Sequence, residues 1–244
     1  MANLQKLQFN NRTILIASRD SFVAFFPEDF PADMDFIYLA NDFDGTQIPN
    51  RATNTTIGAY LKSGTITKNG TGANCYLSNG INRYNYLYTD IPSAKLEVMK
   101  ALNNTYTYFI RAYQGANYNT SGGLICFRYN NSNYYKYMIR CEKGKLQFHN
   151  ASPVQTLDLN ASKVFKVTVT ATSAVVSDME GTSQTVAITT ERAMGTRMTT
   201  FQVANPSFST EYHLDQFYGI AGIARATTAA EDTKIRAYLM SQGV

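Results

Sequence analysis

One stretch, FYGIAGIARATTAAEDTKIRAYL (residues 217–239), constrains the fold of this chain more than any other. Its first half reads as a buried strand, with Phe217, Ile220 and Ile223 set among glycine and alanine. Gly219 and Gly222 carry no side chain, which suits a strand that another layer approaches closely. Thr228-Ala229-Ala230-Glu231 then has the form of a capping box, a hydroxyl at the cap and a carboxylate three residues on. Ile235, Tyr238 and Leu239 recur at helical spacing, and Gly243 marks the stop. The pattern predicts a last strand running straight into one short helix, Ala229 to Ser241.

The rest of the chain reads as strands and polar turns. In TYTYFIRAYQG, Tyr106, Tyr108 and Ile110 fall on one face, and Thr107, Phe109, Arg111 and Tyr113 on the other. GGLICFRY and YYKYMIRC are two strands joined by Asn130-Asn131-Ser132-Asn133, and KLQFHN follows the turn Glu142-Lys143-Gly144. VFKVTV alternates with Phe165, Val167 and Val169 inward, and AVVSDMEGTSQTVAI is a hairpin turning at Glu180-Gly181. The spacing gives about a dozen short strands, as in a sandwich. A length of 244 residues fits one such domain. Charged residues make up only 16%, against roughly 25% in a typical soluble domain. Asn, Thr, Ser and Tyr supply the polarity, a mix suited to sheets and turns. Asn-x-Ser/Thr triplets at Asn54, Asn69, Asn150 and Asn160 read as turns.

Several classes of function fall away. The formal net charge is +4 and its cations are scattered, so no nucleic-acid footprint is expected. No apolar run nears the roughly 20 residues of a membrane span. The opening MANLQKLQFNNRT lacks the apolar core of a secretory signal, so no signal peptide is expected. Cys75, Cys126 and Cys141 have no metal-ligand spacing and read as buried thiols. One disulfide, Cys126 to Cys141, stays open because the two flank an expected hairpin.

Residues 1–33 differ from the remainder of the chain. LQKLQF, TILIA and FVAFF are apolar runs broken by polar turns, with Pro27 and Pro31 near the end. They read as an N-terminal arm or one added hairpin ahead of a domain at 34–244. Phe22, Phe25, Phe26 and Phe30 are too apolar to stand free, so the arm is expected to dock on the domain or on a partner.

Four segments, in this order, resemble the concanavalin A-like lectin/glucanase jelly rolls in their laminin-G-like form. They are LANDFDGTQIPNRATN, TYTYFIRAYQG, VFKVTVTATSAVVSDMEGTSQTVAI and the closing stretch, together within residues 36–244. The resemblance implies an all-β fold, a two-sheet antiparallel jelly-roll sandwich with one short C-terminal helix. It also implies a place among surface proteins, glycan-processing enzymes or phage structural and fibre proteins. The composition and the missing signal favour the last, with the virion as location and the bacterial surface or cytoplasm as alternatives. The expected function is a non-enzymatic carbohydrate-binding or adhesion module, receptor-binding or structural, in a phage head or tail. Its partners would be a cell-surface glycan and other virion subunits through the arm, with room for a homo-oligomer. A purely structural decoration protein is the first alternative, and a glycan-processing enzyme the second.

Candidate chemistry is sparse. Glycanases of the resembled fold use carboxylates at alternating strand positions, one as acid and one as nucleophile. Here Glu97, Glu142, Glu180 and Glu191 stand alone, and Glu211 and Asp215 have the wrong spacing. His149 and His213 have no nucleophile motif beside them. Asp42 and Asp44 stand beside a turn glycine, Gly45. Calcium, which takes oxygens from such loops, is the one cofactor left open there, although a plain turn explains the pattern equally. With Trp absent, stacking on a sugar falls to Tyr. Arg111, Tyr113, Arg128, Tyr129, Tyr135 and Tyr137, on or beside strands expected to be adjacent, are the candidate ligand face. Half-buried sheet tyrosines are the plain alternative.

Overall fold

The computed structural model describes residues 5–9, 12–16, 31–52, 59–63, 65–78, 86–89, 105–115, 121–129, 135–148, 156–187, 198–203 and 215–241. The chain begins with β1 (Gln5–Phe9) and β2 (Arg12–Ile16), which pair with each other as a two-stranded sheet. β3 (Met34–Leu39) precedes β4 (Gln47–Ile48), β5 (Ala59–Ser63), β6 (Thr67–Asn69), β7 (Tyr76–Ser78) and β8 (Tyr86–Thr89). Next come β9 (Tyr106–Tyr113), β10 (Ser121–Tyr129), β11 (Tyr135–Glu142), β12 (Lys145–Phe148) and β13 (Thr156–Asp158). β14 (Phe165–Val169), β15 (Ser173–Ser177), β16 (Ser183–Ala187), β17 (Met198–Val203) and β18 (Gln216–Ile223) lead to α1 (Ala229–Ser241).

Two antiparallel sheets carry the main body. One runs β13-β12-β11-β10-β17-β8-β5-β4; the other runs β16-β15-β14-β9-β18-β7-β6, with β3 also paired to β18. Their inner faces form one core. Tyr106, Tyr108, Ile110, Phe165, Val167 and Phe217 come from the second sheet, and Ile48, Leu87, Leu124, Ile139 and Leu146 from the first. The alternation read from VFKVTV holds: Phe165, Val167 and Val169 are buried, while Lys166 and Thr168 are only half-buried. The fold is therefore the expected all-β sandwich with one C-terminal helix. Among the strands the sequence did not announce are β4 and β13, which are two and three residues long. Runs that short show no periodicity.

A third layer lies outside the second sheet. Ile235, Tyr238 and Leu239 of α1 pack on Met34, Ile37, Leu39, Phe109, Ala221 and Ile223. β3, with core on one side and helix on the other, is buried at all six residues. A 13-residue helix is marginal alone in water, so burial sustains it, at roughly 1.5–3 kcal/mol for each large apolar side chain. The capping box forms as read. Thr228 N–H donates to Glu231 Oε2 at 2.8 Å, and Glu231 N–H donates back to Thr228 Oγ1 at 3.3 Å. Gly222 is needed where it stands: a Cβ there would lie 2.5 Å from the Phe36 ring.

Cys126 and Cys141 do not form a disulfide. Register pairs Cys126 with Met138 and Cys141 with Gly122, and Cys141 is buried and forms no disulfide. The hairpin brings their strands together but staggers the two cysteines. Asn160 makes the expected turn, its side-chain oxygen accepting the Ser162 amide at 2.9 Å. Phe22, Phe25, Phe26, Phe30, Asn54, Asn150, His149, His213, Glu97, Glu191 and Glu211 lie outside the described residues.

Candidate functional site

The six residues of the expected Tyr/Arg face are divided between the two sheets. Arg111 and Tyr113 lie on β9, whose neighbours are β14 and β18, while the other four lie on β10 and β11. Register pairs Arg128 with Tyr135, Phe127 with Tyr137 and Tyr129 with Met198; the side chains of Arg128, Tyr129, Tyr135 and Tyr137 lie outside the description. Tyr113 is half-buried, opposite Gln216.

Arg111 is not on an open face. It is 6% exposed, beneath the C-terminal turn of α1. Its Nε donates to the Ala161 carbonyl at 2.9 Å, and its Nη1 lies 3.1, 3.2 and 3.3 Å from the carbonyls of Ala73, Leu239 and Met240. The last carbonyls of a helix lack partners within it, and a cation is favoured there by the helix dipole. The strand parity was right, but a helix covers that face. Burial presses the Arg111 pKa downward, opposed by the Tyr218 ring beside it.

Asp42 and Asp44 are engaged separately. Asp42 takes a two-pronged ion pair from Arg51, with both contacts at 2.5 Å. Asp44 Oδ1 accepts the amides of Thr46 and Gln47 and the Thr46 hydroxyl, each at 2.8 Å. Those bonds, the Thr46 amide first, hold its carboxyl at about 2. Gly45, between Asp44 and Thr46, has φ +103°, so the plain turn accounts for the motif. Among the described residues no three His, Cys, Asp or Glu side chains stand together as metal ligands.

An open groove of about 610 Å³ lies elsewhere, where the first half of α1 overhangs the outer face of β14, β15 and β16. Lys166, Thr168, Val175, Ser177 and Ser183 form its floor. Ala229, Asp232, Thr233 and Arg236 form the helical wall, with Met179 and Ala226 completing the lining. Lys166 Nζ donates to Asp232 Oδ2 at 2.7 Å, and the Thr227 hydroxyl donates to Asp232 Oδ1 at 2.5 Å. Arg236 donates to Glu180, which Lys163 also contacts at 3.2 Å.

The β15–β16 turn joins this network. Asp178 Oδ1 accepts the amides of Glu180 and Thr182 at 2.9 and 3.0 Å, and Oδ2 takes Lys163 at 2.8 Å. Burial pushes the Asp178 carboxyl up, but Lys163 and the two amides outweigh it and hold it at about 2. Lys163, then Arg236, holds Glu180 below its ordinary value despite some desolvation.

No protein-family model matches this sequence, and no curated protein matches it. Solved structures share its architecture. Trypanosoma rangeli sialidase in complex with 2,3-difluorosialic acid aligns over 87% of this chain and 33% of its own, with TM-score 0.58 and 11% identity. A structure described as the receptor binding domain aligns over 89% and 53%, with TM-score 0.61 and 10% identity. The binding domain of Botulinum neurotoxin DC, in complex with rat synaptotagmin II, aligns over 83% and 50%, with TM-score 0.54 and 10% identity. The shared feature is the β-sandwich. This chain spans about a third of the sialidase and about half of each binding domain.

The groove was partly legible in the sequence. Alternation placed Lys166 and Thr168 on the outer face, and the capping box placed the helix start. Nothing local said that the helix would overhang that face. The pairing of Lys166 with Asp232 joins residues 66 positions apart.

Proposed function

We propose that this chain is a non-enzymatic binding module of the adhesion type, recognising a carbohydrate and carried in the head or tail of a phage-like virion. The observation that supports the reading is the groove beside α1. It is rich in hydroxyls and charged hydrogen-bonding groups, while Asp178 and Glu180 at its end are held ionised. A glycosidase of the two-carboxylate kind needs one carboxyl kept protonated as general acid, and these two are displaced the opposite way. The binding domains among the structural neighbours agree with a binding role, and the sialidase leaves an enzyme as the rival reading. In the proposed assembly residues 1–33 join other virion subunits, and many copies compensate for weak single sites.

A glycan array with the protein displayed multivalently, run beside a fluorogenic sialoside and glycoside hydrolysis assay, tests the reading. Glycan capture without turnover is the expected result. Turnover would assign an enzyme; capture of no glycan and no turnover would leave a structural decoration protein.

A further inference from the structure

We infer that the groove between α1 and the β14–β15–β16 face takes an uncharged saccharide and selects against acidic ones. This rests on the reading of the chain as a glycan-binding module, and names the ligand class and the place.

The cations around the groove are already neutralised. Lys166 is paired with Asp232, Arg236 with Glu180, and Lys163 with both Asp178 and Glu180. Beyond Ala226, Arg225 is shared between Asp33 and Glu231. An acidic sugar would meet a carboxylate beside every cation it approached. To gain one cation it would have to displace that carboxylate and leave it unpaired, a penalty that acts as discrimination.

The remaining capacity is one cationic donor, the buried and unpartnered Arg236 Nε–H, and a set of neutral, two-way hydroxyls. Ser177 Oγ accepts the Met179 amide at 3.0 Å and keeps its proton to donate. Thr233 Oγ1 donates to the Ala229 carbonyl at 2.9 Å and keeps lone pairs to accept. Thr168 and Ser183 line the same floor and offer both functions. Sugar hydroxyls also donate and accept, so this lining complements them without any net charge. Val175 and Met179 add an apolar strip for the C–H face of a ring. A volume of about 610 Å³ lies in the range of small-ligand sites, roughly 300–1,000 Å³.

The experiment is an array of neutral, uronic, sialylated and sulfated glycans, probed with the multivalent wild-type chain and with Ser183→Arg, Val175→Arg and Asp232→Asn. Ser183 is exposed on β16, so its variant keeps the fold, which circular dichroism would verify. We expect neutral glycans as the wild-type hits, weakened about tenfold or more by Ser183→Arg and Val175→Arg, whose long side chains would occupy the groove and keep the sugar from one or two of its hydrogen bonds. Asp232→Asn releases Lys166 and should add acidic hits that the wild type lacks. Acidic glycans as the wild-type hits, lost in Ser183→Arg, would overturn the ligand class and leave the module reading standing. Neutral hits unchanged in both arginine variants would overturn the groove. An array without any hit would overturn the module reading itself, and this inference with it.

Discussion

The guanidinium carbon of Arg111 stands 4.2 Å from the centre of the Tyr218 ring. Tyr218 is held in turn by its own hydroxyl, which donates to Gln216 at 2.7 Å, and by the tilted ring of Tyr76 at 5.8 Å. The cation thus lies between an aromatic face and four carbonyl oxygens, joining β9 and β18 to the end of α1.

Arg111→Met should destabilise the domain by about 3 kcal/mol, because one buried and three half-buried carbonyls lose their donor at once. Arg111→Lys should recover only part of this, since an ammonium lacks the planar fork. Urea unfolding followed by circular dichroism measures both. Stability unchanged within error in Arg111→Met would remove its role as the anchor of α1.

Gly222→Ala should cost about 1–3 kcal/mol by overpacking. The new methyl would meet Phe36, a ring that is 1% exposed and stacked on Tyr38 at 5.1 Å. Trimming the ring in a Gly222→Ala, Phe36→Leu double variant should make the two changes less costly together than their sum. Additive costs in that thermal-unfolding cycle would argue against the contact.

Thr228→Ala should lower stability by about 1 kcal/mol through loss of the cap, and amide exchange should rise first at Glu231 and Asp232. Thr228→Ser should restore most of it. Equal exchange rates in the wild type and the Ala variant would show the helix start held by other contacts.

The Lys163–Asp178 pair carries a defined pH window. Asp178 falls from its ordinary 3.8 to about 2, with burial opposing and Lys163 and the turn amides prevailing. A depressed carboxyl contributes stability above its unfolded value, lost as pH falls through the folded one. Lys163 is raised above 10.5, chiefly by Asp178 and then Glu180, so its share is lost only on passing well into alkali. Stability should therefore drop between about pH 4 and pH 2, and the drop should shrink in Asp178→Asn. Parallel acid-unfolding curves for the two proteins would count against this pair.

The closing helix, its cap and its apolar face were determined by residues 217–241 alone, because a capping box and a 3.6-residue period are local patterns. So was the inward set of β14, since alternation is a property of one strand. Which strands would be neighbours was not local. β9 and β10 follow each other in the chain but enter different sheets, and this separates Arg111 from Arg128. Parity put Arg111 on the face opposite Tyr108, and sequence could not say whether water or a helix lay over it. The tertiary structure decided that: α1 folds back across β9 because Ile235, Tyr238 and Leu239 must bury their apolar surface. The same overhang buries Arg111 under one end of the helix and leaves the groove of Lys166, Asp232 and Arg236 beside the other.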